Sequence, residues 1–119
     1  MIRLKRVYED ASSEDGERVL VERLWPRGVS KEDAQLDAWV KDFAPSTELR
    51  KWYGHVVKRW PEFRRRYQEE LAAPERQKAL KDLATKARHG TVTFIYAAKD
   101  TEHNGAVVLK DYLERQFAP

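Results

Sequence analysis

Between Gly90 and the pair Lys99-Asp100 runs the stretch Thr91-Val92-Thr93-Phe94-Ile95-Tyr96-Ala97-Ala98, which carries no charged residue. A strand with β-branched, aromatic and aliphatic residues on both of its alternating sides must be covered on both faces, so it belongs at the centre of a sheet. Arg18-Val19-Leu20-Val21 repeats the pattern and predicts a second covered strand over residues 18–23. That strand runs into Glu22-Arg23-Leu24-Trp25-Pro26-Arg27-Gly28. Pro26 fixes φ and removes a donor, and Gly28 permits positive φ, so the sheet ends here on a stiff turn that carries Arg23 and Arg27.

The rest of the chain supplies flanking elements. Ile2, Leu4 and Val7-Tyr8 alternate with Arg3, Lys5 and Arg6, the pattern of a half-exposed edge strand. Residues 9–17 combine acidic and turn-forming types without an apolar anchor and predict a mobile surface loop. Ser30 followed by Asp33 is an N-cap signature for a short helix over about residues 31–35. Leu36 to Phe43 alternates and reads as a strand ended by Pro45, with a helix continuing from Ser30 as the rival. Ser46 and Thr47 are alternative N-caps for a helix that stops at Gly54. Pro61 opens a helix in which Trp60, Phe63, Tyr67 and Leu71 make one apolar stripe, and Pro74 separates it from a helix bearing Leu80, Leu83, Ala84 and Ala87. Asn104 caps a last helix with Val108, Leu109, Tyr112, Leu113 and Phe117 on its core side. Strands alternating with helices predict a single α/β domain over residues 1–119, three layers with a mostly parallel sheet of about four strands flanked by helices.

Composition narrows the function classes. The chain has 23 Lys and Arg against 20 Asp and Glu, a net charge of +3, a balance that suits an anionic small molecule as well as nucleic acid. Arg64-Arg65-Arg66 looks like a nucleic-acid patch, but Arg65 with Glu69 and Arg66 with Glu70 are i,i+4 pairs that predict a solvated helix face. Without cysteine there is no disulfide, thiolate metal site or cysteine nucleophile. His55, His89 and His103 lack metal-ligand spacing, so no metal site is expected, and no Walker loop, dinucleotide fingerprint or nucleophile elbow occurs. Met1 to Arg6 has no signal-peptide core and no run is long enough to span a membrane, so the expectation is a cytoplasmic protein with no membrane partner.

Ligands of largely parallel sheets bind outside the carboxyl ends of the strands. Three turns are polar there: Arg23, Trp25 and Arg27 after the second strand; Ser46, Thr47 and a helix N-terminus after the third; Lys99, Asp100, His103 and Asn104 after the last. Guanidinium groups, free N–H groups and a lysine together describe a site for phosphate or carboxylate. His103 follows Asp100 by three residues, where a carboxylate can orient the imidazole for proton transfer. The leading expectation is therefore an anionic small ligand, with Arg23, Trp25, Arg27, Ser46, Thr47, Lys99 and Asn104 as binding residues. Hydrolysis or group transfer would use His103 and Asp100 as the acid/base pair. The alternative is a nucleic-acid-binding or protein-interaction module without catalysis. Competing structural roles are an Arg23 ion pair with Asp37 or Asp100, Asn104 as a plain cap, and Trp25 and Trp39 as pocket-wall aromatics.

Val19 to Gly28, Lys41 to Trp52, Gly54-His55, and Tyr96 to Asp100 with His103-Asn104 closely resemble the YeaO-like bacterial proteins, a branch of a family classed as a domain of unknown function. The resemblance covers essentially the whole chain, and L-W-P-R-G and A-P-S-T-E-L-R are its specific motifs. Glu22 stands where the pattern usually has Asp, and Val56-Val57 where Asp-Pro is common. The resemblance implies a small cytosolic bacterial protein and brings no established activity, cofactor or oligomeric state.

Overall fold

The computed structural model describes residues 1–117. Four strands, β1 (Ile2–Arg6), β2 (Glu17–Leu20), β3 (Ala38–Trp39) and β4 (Val92–Tyr96), form one sheet. All pairings are parallel in the order β1-β4-β2-β3, which puts the apolar 92–96 run inside the sheet and the half-charged N-terminal strand at an edge. The helices are α1 (Lys31–Ala34), α2 (Thr47–Tyr53), α3 (Trp60–Leu71), α4 (Gln77–His89) and α5 (Gly105–Gln116). This is the small three-layer α/β architecture expected of the sequence.

The two faces of the sheet are unequal, and the alternation of strand residues shows why. Val92, Phe94 and Tyr96, with Val19, Val21 and Ile2, point to the larger core. There they meet Leu49 and Tyr53 of α2, Phe63, Tyr67 and Leu71 of α3, Leu80 and Leu83 of α4, and Leu109 and Leu113 of α5. Burying one such Leu or Phe side chain stabilises by roughly 1.5–3 kcal/mol, so this layer supplies most of the folding energy. On the opposite face Leu20, Ile95, Val7 and Ala34 form a small cluster against which Trp25, Val29, Leu36, Trp39 and Ala97 pack.

Three local expectations are corrected. Residues 9–17 are not an unanchored loop: Ser12 opens a 3-10 turn at Ser13–Asp15 through a reciprocal capping box, and Asp15 is buried. The Asp15 carboxylate accepts from Lys5 at 3.1 Å and from Arg18 Nη1 at 2.6 Å. Arg18 donates Nε to the Ala34 and Gln35 carbonyls and Nη2 to that of Ala34. Burial opposes ionisation of Asp15, but the Ser12 N–H, Lys5 and Arg18 outweigh it and hold the carboxyl below its usual range. The second correction concerns residues 36–43, which contribute only the two-residue β3 before a 3-10 turn at Lys41–Phe43. β2 leaves the sheet after Leu20, so beyond Val40, whose N–H bonds the Leu20 carbonyl, a longer third strand has nothing to pair with. Third, Arg66 pairs with Glu62 at 2.8 Å rather than with Glu70, because Glu70 is turned toward Ser46. The predicted Arg65–Glu69 pair forms.

Candidate functional site

At the carboxyl ends of the strands the chain leaves a cleft of about 480 Å³. Its walls come from Tyr8 after β1, the Val21–Arg27 loop after β2, Ala97 and Ala98 after β4, and Ala44 and Pro45 before α2. Arg50 and Tyr53 of α2, His55, Phe63 of α3 and Asn104 to Ala106 at the start of α5 complete it. Of the residues expected from sequence, Arg23, Trp25, Arg27 and Asn104 line this cleft. Ser46, Thr47, Lys99, Asp100 and His103 are not among its lining residues.

Each wall has a local cause. After Leu20 the chain turns away, and Val21 makes one further sheet bond, from its N–H to the Ile95 carbonyl at 3.2 Å. The next residue, Glu22, is clamped twice: its carbonyl accepts from the Trp39 indole at 2.6 Å and its carboxylate Oε1 accepts from the Ala97 N–H at 2.7 Å. Burial pushes the Glu22 carboxyl up, opposed by the Ala97 N–H and by the charges of His55 and Arg50. Oε2 of Glu22 has no hydrogen-bond partner among the described residues. Arg23 donates Nε to the Pro45 carbonyl at 3.1 Å and Nη2 to that of Ala44 at 3.3 Å, tying the loop to the segment before α2. Neither Asp37 nor Asp100 pairs with it. Trp25 donates its indole N–H to the Val29 carbonyl at 2.6 Å and packs edge-on against Trp39 of β3, with centroids 5.5 Å apart, so Trp25 is a wall held by its own loop and Trp39, which is not a lining residue, backs it.

Arg27 and Arg50 differ from every other arginine. Arg3, Arg6, Arg18, Arg23, Arg59, Arg64, Arg65, Arg66, Arg76, Arg88 and Arg115 each hold a hydrogen bond or an ion pair through the guanidinium. Arg27 and Arg50 hold neither among the described residues, and both line the cleft. Arg27 is placed by its carbonyl, which accepts from the Tyr8 hydroxyl at 3.1 Å. Arg50 sits beside the buried Leu49 and one turn before the buried Tyr53, on the shoulder of the core-facing side of α2.

The remaining candidates are engaged elsewhere. Ser46 caps α2, and its N–H and hydroxyl both donate to Glu70, at 2.8 and 2.6 Å, so a carboxylate of the chain itself already occupies that helix start. Asn104 accepts from Val107 N–H at 3.1 Å and donates to the Asp100 carbonyl at 2.9 Å, fixing the turn into α5. His103 and Asp100 do pair, Nδ1 to Oδ2 at 2.9 Å, and the ring sits edge-on against Trp60 at 5.2 Å. The N–H groups of Glu102 and His103 lower the Asp100 carboxyl, with the imidazole adding to them. Lys99 is exposed. Among the described residues no group of three or more His, Asp or Glu could hold a metal, and no helix is long and apolar enough to cross a membrane.

Sequence reading missed Glu22, Arg50 and His55 as cleft residues. A carboxylate at the last covered position of a strand was the available signal for Glu22, since burying one costs free energy. His55 has φ 58° immediately after Gly54 at φ 50°, and two successive left-handed residues swing its side chain to the cleft. Its signal was the Gly-His pair at a helix end.

A family model described as the inactive DUF488-N3 subclade matches residues 1–119. The uncharacterized protein YeaO of Escherichia coli K12 is 48% identical over 113 residues, covering 94% of this chain and 96% of that one. The uncharacterized proteins Rv3073c of Mycobacterium tuberculosis and Mb3100c of Mycobacterium bovis are each 44% identical over 112 residues, 94% of this chain and 92% of theirs. No solved structure matches. With the whole chain covered by the family model and nearly all of it by these relatives, the protein belongs to the DUF488-N3 family, in the subclade described as inactive.

Proposed function

We propose that the cleft at the strand ends binds a small molecule bearing a carboxylate or phosphate, and that it does so without turning it over. The observation that carries this reading is the pair Arg27 and Arg50, the two guanidinium groups left without a partner among the described residues, on one 480 Å³ cleft. A guanidinium presents a planar fork of donors matched to carboxylate and phosphate oxygens, and charge-assisted bonds of this kind are the stronger class. Arg23, held by two carbonyls, adds positive potential to the same wall. Binding is favoured over catalysis because the acid/base candidates Asp100 and His103 are not among the cleft's lining residues, and because the matching family model is described as inactive. Nucleic acid is the weaker reading: Arg65 and Arg66, the centre of the most basic run, are neutralised by Glu62 and Glu69.

Isothermal titration with benzoate and with inorganic phosphate at low ionic strength tests the proposal. At least one of the two should bind, and Arg27→Gln with Arg50→Gln should weaken that binding by about tenfold or more, the equivalent of losing one charge-assisted bond. Unchanged affinity in the double variant overturns it.

A further inference from the structure

The cleft holds one feature that an anion site alone does not require, the carboxylate of Glu22 on the same wall as Arg23 and Arg27. A backbone N–H needs one acceptor oxygen, and Ala97 N–H takes only Oε1 at 2.7 Å. A neutral amide would satisfy that N–H without placing a charge where burial disfavours it. Oε2 is left without a partner among the described residues, in a cleft that also presents Arg27 and Arg50. Leu24 and Tyr8 at the mouth are exposed over 57% and 50% of their surface, and Trp25 and Phe63 add apolar wall.

Resting on the anion site proposed above, we infer that the ligand is a small zwitterion with an apolar or aromatic side group, an amino-acid-like molecule whose ammonium or N–H is taken by Glu22 Oε2 while its anionic group is taken by Arg27 and Arg50. Glu22 is then the residue that sets specificity. A plain anion of the same shape meets the Glu22 carboxylate, whose Oε2 holds no hydrogen bond among the described residues, and is disfavoured by like-charge repulsion. A ligand with a donor converts that repulsion into a hydrogen-bonded charge pair. A fully enclosed site that must bond a ligand N–H discriminates against the analogue lacking it by about 10⁴-fold or more. This cleft is open to water, which screens the interaction, so a preference of about tenfold to a hundredfold is expected.

Calorimetric titration of the wild type with L-phenylalanine, 3-phenylpropionate and inorganic phosphate tests the inference, because the first two probes differ only by the ammonium group. Phenylalanine should bind at least about tenfold tighter than 3-phenylpropionate. Glu22→Gln keeps an acceptor for Ala97 N–H and offers an N–H to the cleft, so it should remove or reverse that preference. Equal affinity of the two probes for the wild type overturns the zwitterion and leaves the anion site standing. So does phosphate binding when neither phenyl probe binds. Failure of all three probes and of benzoate to bind removes both. The wild-type comparison needs no variant, and near-ultraviolet circular dichroism checks that Glu22→Gln folds before its preference is read.

Discussion

The two ends of the sheet use the same residue types to opposite effect. Toward the amino end of β2, Asp15 and Arg18 form a closed set with Lys5, which reaches in from β1: the guanidinium is buried and its N–H groups meet a carboxylate and two carbonyls. At the carboxyl ends Glu22, Arg27 and Arg50 line an open cleft, and the two guanidinium groups hold no hydrogen bond or ion pair among the described residues. The difference teaches where to look for function in a chain that is 36% charged. Presence of charge carries little information here; absence of an internal partner carries much more. A closed network specifies the packing of α1 and the 3-10 turn onto the sheet, whereas an open one keeps its donors for something outside the chain.

The largest expected effect comes from breaking the closed end. Asp15→Ala leaves Arg18 buried and charged, removes an acceptor from the Ser12 capping box and strips Lys5 of its partner. Removing one member of a buried pair costs about 3–5 kcal/mol, so the urea midpoint should fall sharply. Arg27→Gln, at the open end, should stay within about 0.5 kcal/mol of the wild type. A similar loss for both variants would erase the distinction between the two ends.

A second prediction uses pH to oppose them, because their carboxylates shift in opposite directions. Asp15 lies below its usual range, so its contribution to stability is present above the unfolded value of about 3.9 and is lost as pH falls through the folded value. Glu22 is raised, so the folded state binds its proton more tightly. Its penalty is fully present above the folded value and disappears below the unfolded value of about 4.3. Glu22→Gln should therefore raise Tm by a few degrees near neutral pH and give no gain in acid. A Tm difference that does not change with pH would show that ionisation of Glu22 is not what the cleft strains against.

How much of this was legible in the sequence depends on whether the deciding interaction was local. The β4 strand, the α3 stripe at Phe63, Tyr67 and Leu71, and the Ser30, Ser46 and Asn104 caps are set within a few residues of themselves, and each forms, β4 over Val92–Tyr96 of the 91–98 run and Ser46 as the cap in place of Thr47. The end of β3 is set by β2, which departs after Leu20, and no pattern inside residues 36–43 reports on that. Asp15 was hidden for the same reason: amid acidic, turn-forming neighbours it reads as solvated, and only the fold brings Lys5 to its side and buries its partner Arg18 against the Ala34 and Gln35 carbonyls. The strand-end rule drew Arg23, Trp25, Arg27 and Asn104 to one place. It overreached at Ser46, since Glu70 lies 24 residues away and its choice of Ser46 over Arg66 is a matter of packing. It missed Arg50, whose direction depends on how a seven-residue helix rolls against the core.

The smallest effect tests whether the open end tolerates strain for the sake of its lining. His55 holds φ 58° although it has a Cβ, and a left-handed non-glycine residue costs about 1–2 kcal/mol. Glycine removes that cost but makes the unfolded chain more flexible, which offsets about 0.4–1 kcal/mol of the gain. His55→Gly should therefore change stability by less than about 1 kcal/mol, whereas the β-branched His55→Val should lose more. If the imidazole is there for the cleft, His55→Gly should weaken anion binding even though folding is unaffected, because it deletes a side chain that lines the cleft. Chemical denaturation together with the benzoate and phosphate titrations separates the cases. A stability loss well above 1 kcal/mol would assign His55 to packing against Tyr53, whose ring centroid lies 5.8 Å away, and return the Gly54-His55 turn to the closed, structural part of the molecule.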